Sequence, residues 1–188
     1  AVAGIHALMI LKKKNITFHT KAFRIAAGFS IIGALLAPIS GDVAAKSVSK
    51  RQPIKLAAME AHFETEKGAS FVIGGIPDEE TAEVKYAIKI PKVLSFLADG
   101  DFNSEVKGLK DFPTDEWPPV AVVHYAFQIM IFFGMVMLGI GVLYLIASFW
   151  KKEWLTKSWF LKMFVVAIPF GYIALEAGWT VTEVGRQP

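Results

Sequence analysis

The 188-residue chain contains no cysteine. That absence removes disulfides, thiolate-bound zinc, cysteine-held iron–sulfur clusters and covalently attached C-x-x-C-H haem. Any metal must be held by His, Met or carboxylate, or sit in a macrocycle. Charge is scarce too: charged residues make up 20% of the chain against 54% hydrophobic, and the mean hydropathy is +0.45. An apolar share this high excludes an ordinary soluble domain. The chain also has no internal repeat and no low-complexity tract, and its net charge of +3 lacks the clustering that nucleic acid would require.

What is present is a set of long apolar runs. Residues 23–43, 120–150 and 159–181 each satisfy the roughly 17 to 25 residues that a spanning helix needs. A fourth run, residues 1–11, is shorter. It ends in Lys12, Lys13 and Lys14, the reverse of a signal peptide's order, and reads as the end of a helix that starts upstream, in a piece of a longer protein.

Lys12, Lys13, Lys14, Lys21 and Arg24 flank one short loop that holds no acid, and Lys151, Lys152, Lys157 and Lys162 flank another with only Glu153 against them. Residues 42–119 carry 10 Lys or Arg against 14 Asp or Glu. Basic residues in short loops stay inside, so both short loops are expected on the cytoplasmic face and the long acidic segment outside. The predicted fold is all-α: a multi-helix transmembrane protein with three full spans, the end of a fourth and a large outer loop. Residues 1–45 would hold the truncated helix, a basic inner loop and a second helix, 46–119 the outer loop, and 120–188 two further spans.

Gly28, Ser30, Gly33 and Ala34 are small enough for close helix packing. Pro38, Gly134, Gly139, Gly141, Pro169 and Gly171 are kink positions that neighbouring helices can compensate. In the long loop, Pro53 suits a first helical turn, and Leu56, Met59 and Phe63 recur at helical spacing, which predicts a short amphipathic helix over 55–64. Gly74 to Asp78 reads as a turn. A structured loop of nearly 80 residues points to function.

Several side chains could carry chemistry. On the last span Glu176, Trp179, Glu183 and Arg186 fall within roughly 80° of one another, so they form one polar stripe that lipid would reject. Glu183 lies about 30 Å beyond Lys162, hence near the outer surface. Two readings stand: an i, i+3 ion pair with Arg186, or a cofactor or ion role. Met130 near the outer end of the third span is either core filler or a thioether ligand. His124 reads as an interfacial hydrogen-bonding group, and His6 and His19 have no partner at metal spacing. Lys55 and Glu60 in the loop helix point about 140° apart, and solvated surface charge is the plain reading of both.

Three runs together resemble the large subunit of the cytochrome bd quinol oxidases: Gln52-Pro-Ile-Lys-Leu-Ala-Ala-Met-Glu60, Ala126-Phe-Gln-Ile-Met130, and Glu176-Ala-Gly-Trp179 followed by Glu183-Val-Gly-Arg-Gln-Pro188. The resemblance implies that residues 46–119 are the quinol-binding Q loop, of the short, cyanide-insensitive-like branch, with Lys55 and Glu60 at the site of quinol oxidation. It implies that Met130 is an axial ligand of a low-spin haem b and Glu183 the ligand of a high-spin haem b. Trp179 and Arg186 would lie beside the haems. Gln128 stands where the family often has Arg near the low-spin haem propionates. A third haem, haem d or a b-type replacement, and the family's histidine ligands would belong to sequence upstream of Ala1.

The implied protein is a quinol:oxygen oxidoreductase of the prokaryotic cell membrane, its Q loop outside, that reduces oxygen to water. It would assemble with a second large membrane subunit and a small accessory subunit. The 188 residues alone would be inactive. From the residues without the resemblance, a secondary transporter or ion-conducting subunit using Glu176 and Glu183 is the alternative.

Overall fold

The computed structural model describes residues 1–186, so Gln187 and Pro188 of the last quoted run lie outside the described residues. The apolar runs become helices α1 (Val2–Leu11), α2 (Ile16–Arg51), α5 (Val120–Phe149), α6 (Ser158–Val166) and α7 (Phe170–Val184). Pro169 lacks an N–H, and a turn at 167–169 parts α6 from α7 within the third spanning stretch. Pro38, by contrast, is accommodated inside α2. In the most apolar windows of the three spans only 17%, 11% and 17% of residues are buried by the chain's own atoms. Their apolar faces must be covered by lipid or other protein, which makes this an integral membrane protein.

The chain divides into two compact units. The first comprises Ala1–Pro38 and Ile131–Leu175. Its core is Phe23, Ala27, Ile31, Ile140, Tyr144, Phe160 and Phe164 with Ala3 and Ala7 of α1. Phe23 meets Phe164 edge-on at 4.9 Å between ring centres, a favoured aromatic geometry. Gly4 lies against the Phe164 carbonyl and Ile168, where any Cβ would collide. The Tyr144 hydroxyl donates to the Arg24 carbonyl at 3.1 Å. His6 and His19 lie in a hydrogen bond with each other, Nδ1 to Nδ1 at 2.8 Å, and join no metal-binding group among the described residues. A Cβ added at Gly141 would stand 3.7 Å from that of Ala34, whereas Gly28 and Gly33 face open space within the chain.

The second unit comprises residues 39–130 with the stretch from Glu176 onward. Here α2 runs eight residues past the predicted apolar limit at Val43, because its last turns are helix-compatible and Lys46 pairs with Asp42 one turn earlier at 2.6 Å. Pro53 disfavours helix at the preceding residue, so α2 stops at Arg51 and α3 (Pro53–Met59) begins with Pro53 at its first position, as expected.

The rest of the loop holds β1 (Glu66–Lys67), β2 (Phe71–Ile73), β3 (Ile76–Asp78), β4 (Glu83–Lys85), β5 (Ile88–Ile90), α4 (Val93–Asp99) and β6 (Glu105–Val106). β2 pairs with β5 and β3 with β4, both antiparallel and in one continuous register, so residues 71–90 form a single long hairpin. It is interrupted at Gly74 and Gly75, both at positive φ. The expected turn is thus confined to these two glycines, and Ile76–Asp78 is strand. Ser95 secures α4: its hydroxyl accepts from the Ala69 N–H and donates to the Ser104 carbonyl.

Candidate functional site

Helix α3 is only seven residues long, yet Ile54 through Ala58 are all buried. It stops where Ala61 turns left-handed (φ 48°), with the His62 N–H bonding the Ala57 carbonyl at 2.8 Å and the Ala61 N–H bonding the Ala58 carbonyl at 3.2 Å. This is a Schellman closure built on alanine where glycine is usual. The helix therefore ends four residues before Phe63, whose side chain is buried from outside the helix.

Lys55 and Glu60 are not solvated surface charges. They are 8% and 2% exposed, because different neighbours cover the two faces of α3 on which they lie. On one face the Lys55 stem packs on Gly185 and its ammonium donates to the Thr182 carbonyl at 3.3 Å. Burial lowers the Lys55 pKa; the Glu183 carboxylate opposes that shift and Arg186 adds to it. The structure thus brings Lys55 into electrostatic reach of Glu183 and Arg186.

On the other face Glu60 is enclosed beside β2. Burial pushes its carboxyl up to about 8, against the smaller opposing effect of a hydrogen bond from the Val72 N–H. Its Oε2 has no hydrogen-bond partner among the described residues. A buried oxygen left unpaired costs on the order of 1 to 3 kcal/mol, and such a cost invites a functional explanation. Nearby, His62 is buried with Nε2 3.3 Å from the Val106 carbonyl, and burial lowers its pKa, so the neutral ring donates to that carbonyl.

The outer end of α5 closes this face. His124, fully buried, sets Nδ1 2.9 Å from the Met59 carbonyl and Nε2 3.1 Å from the Gly74 carbonyl. One turn on, Gln128 donates from Nε2 to the Val72 carbonyl at 2.8 Å and accepts the Gly74 N–H at 3.2 Å. The sequence reading anticipated a hydrogen-bonding His124 but not these partners. It also missed that Gln128 turns both amide atoms to the loop hairpin. The available signal was two polar residues at i, i+4 on an otherwise apolar helix.

Met130 is half-buried, and its sulfur lies 3.0 Å from where a Cβ on Gly178 of α7 would stand. On α7, Glu176, Trp179 and Glu183 are exposed, as is Arg186 just beyond the helix end, which is the predicted stripe. Glu183 and Arg186 approach to 3.9 Å with both side chains largely exposed, the looser limit of an ion pair.

Among the described residues no three His, Asp or Glu gather as they would around a bare metal ion. A haem supplies four ring nitrogens of its own and asks the protein for one or two axial donors. The Met130 thioether has that donor character, and the exposed Glu183 carboxylate, held only loosely by Arg186 at 3.9 Å, offers an oxygen donor.

The family profile described as cytochrome bd terminal oxidase subunit I matches residues 1–188. The chain belongs to the cytochrome bd oxidase subunit I family. It is 39% identical over 193 residues to a Bacillus subtilis protein described as a cytochrome bd menaquinol oxidase subunit I, which covers 100% of this chain and 42% of that one. It is 31% identical over 200 residues to cytochrome bd ubiquinol oxidase subunit 1 of the same organism, again over 100% and 42% of the two chains. The solved bd oxidase of Geobacillus thermodenitrificans superposes with a TM-score of 0.90 at 36% identity, over 98% of this chain and 42% of that one. The chain thus spans less than half the length of these subunit I relatives.

Proposed function

We propose that this chain forms the quinol-oxidising side of a membrane quinol:oxygen oxidoreductase, with residues 46–119 as its Q loop on the outer face of a prokaryotic cell membrane. The observation that carries the reading is Glu60: a carboxyl walled off from water, one oxygen unpaired, and a pKa pushed up to about 8. A buried acid poised near operating pH can both accept a hydroxyl proton and release it again, as general acid–base chemistry requires. Its neutral form presents an O–H to a quinone carbonyl; its ionised form receives a proton from a quinol hydroxyl. Lys55, on the other face of α3, lies within electrostatic reach of Glu183 and ties the loop helix to the end of α7 through the Thr182 carbonyl.

In this reading Met130 would hold a low-spin haem b through its thioether and Glu183 a high-spin haem b through its carboxylate. Trp179 offers its ring and Arg186 its guanidinium beside them, and Gln128 holds the helix that carries Met130. When bound, the haems, including a haem d or b-type third, supply electron transfer and the reduction of oxygen to water. The histidine ligands, a second large subunit and a small accessory subunit complete the enzyme. The partners of the quinol face are the lipid bilayer and the quinol itself; the Bacillus relatives are described for menaquinol and ubiquinol respectively.

The test is Glu60→Gln and Lys55→Ala in the full-length, assembled oxidase. Oxygen consumption with quinol should fall about a hundredfold for Glu60→Gln, the usual scale of one lost acid–base group. Consumption driven by an artificial donor that bypasses the quinol site should survive in both variants. Equal failure with both donors would remove these residues from a quinol site.

A further inference from the structure

Among the described residues a hydrogen bond from the Val72 N–H acts on the Glu60 carboxyl while Oε2 has no partner, so the position of the carboxyl depends on where β2 lies. Val72 pairs with Lys89 of β5, yet its N–H points to Glu60 and its carbonyl to Gln128. Both groups therefore turn away from the ladder, as at a non-hydrogen-bonded pair, and the outer edge of β2 is free to be held from outside. It is held by α5. Gln128 takes the Val72 carbonyl and the Gly74 N–H, and His124 sets one ring nitrogen against the Gly74 carbonyl and the other against the Met59 carbonyl, next to Glu60 in the chain.

Residues 124 and 128 share one helix face, so a single rigid surface grips both segments that determine where Glu60 sits. Gly74 is gripped on both sides, at a positive φ of 66° that suits glycine. The grip has little slack. Both His124 ring nitrogens and both Gln128 amide heavy atoms already face loop backbone, and the Gln128 amide keeps a single unused N–H.

We propose that His124 and Gln128 are positioning residues of the quinol site, clamping α3 and β2 to α5 so that the Glu60 carboxyl is held where substrate must meet it. This rests on the reading of Glu60 as a quinol-site residue. It also assigns Gln128 a loop-facing role, where the family resemblance alone suggested the haem propionates. The clamp lies two residues from Met130 along α5, so the substrate loop and the proposed haem ligand share one rigid element. Held there, the carboxyl is also a hydrogen-bonding contact for the bound quinol, so a loosened loop costs quinol binding before it costs chemistry.

The experiment uses the full-length subunit in its assembled oxidase. Gln128→Leu removes both hydrogen bonds at similar volume, and Gln128→Arg restores a donor for the Val72 carbonyl. We expect Gln128→Leu to speed amide hydrogen exchange at Gly74 about tenfold and to raise the KM for quinol about tenfold, with a smaller change in kcat. Gln128→Arg should recover most of the KM. His124→Phe should move KM in the same direction; should that fully buried substitution fail to fold, the Gln128 pair decides the matter. Faster exchange with an unmoved KM would reduce the clamp to a structural clip and overturn the proposal, as would no change in either. Glu60→Gln is run beside them. If it blocks quinol oxidation while Gln128→Leu leaves KM unmoved, only the positioning role falls. If it leaves quinol oxidation intact, the quinol-site reading falls and takes the positioning role with it.

Discussion

The two compact units solve burial in opposite ways. In the first, the buried core is aliphatic and aromatic, and its one polar tip, the Tyr144 hydroxyl, is satisfied by the Arg24 carbonyl. In the second, among the described residues, lie Lys55, Glu60, His62, Ser95 and His124, all buried and polar or ionisable. Burying polar groups costs stability unless each is paired, so a unit built for stability alone would resemble the first. Ser95, His62 and His124 are paired and serve the loop's architecture. Glu60 is left half-paired. On the proposed function, that contrast separates scaffold from site within one short chain.

If chemistry belongs to the second unit, its largest losses should come from changes there. In the full-length oxidase, Glu183→Gln should deplete the high-spin haem and abolish oxygen reduction, with the low-spin haem still reducible by quinol. Met130→Leu keeps the volume and should cost under about 1.5 kcal/mol of packing, yet it should remove the low-spin absorption band. A pure ion-pair role for Glu183 predicts a mild change instead, because an exposed i, i+3 pair contributes a few tenths of a kcal/mol, about 0.3 to 0.5. Haem stoichiometry by optical spectroscopy decides between them.

The cost of holding Glu60 can be read from pH. Its folded pKa is raised from 4.5 to about 8, so the folded state holds a proton that the unfolded chain releases above 4.5. Stability therefore falls as pH rises through that window, by at most on the order of 5 kcal/mol once both states are ionised. Glu60→Gln should flatten this dependence and be more stable than the parent above pH 8, as thermal unfolding in detergent at a series of pH values would register. The scaffold unit should behave differently. Phe23→Ala, in a fully packed aromatic cluster, should cost about 3 to 5 kcal/mol at every pH while the haem spectrum of the surviving protein stays unchanged. A spectral change there would break the division of labour.

The spans and their order were legible because twenty apolar residues in a row have few other fates. The loop was less so. β2 to β5 are three residues each, and β5, Ile88–Ile90, is exposed along its whole length, so no apolar alternation announced the hairpin. Its continuous register emerges only from pairing across residues 71–90. Helix geometry predicted the 140° between Lys55 and Glu60, but the plain reading of both as solvated charges does not hold, since both are buried. A helix as short as α3 can be covered on opposite sides by segments distant in sequence, here the end of α7 and β2, and nothing local signals that. The placement of Met130 against Gly178 was equally hidden, since it depends on two helices meeting.

The central claim is that Glu60 is a buried, substrate-facing carboxyl that exchanges its proton near the operating pH. Infrared difference spectroscopy of the full-length oxidase, from about pH 6 to about pH 9, tests it most directly. The account predicts a protonated-carboxyl C=O band that disappears with a midpoint near 8, shifts when quinol is added, and is absent in Glu60→Gln. A Glu60 already ionised at the acid end of that range, or a band indifferent to quinol, would contradict it.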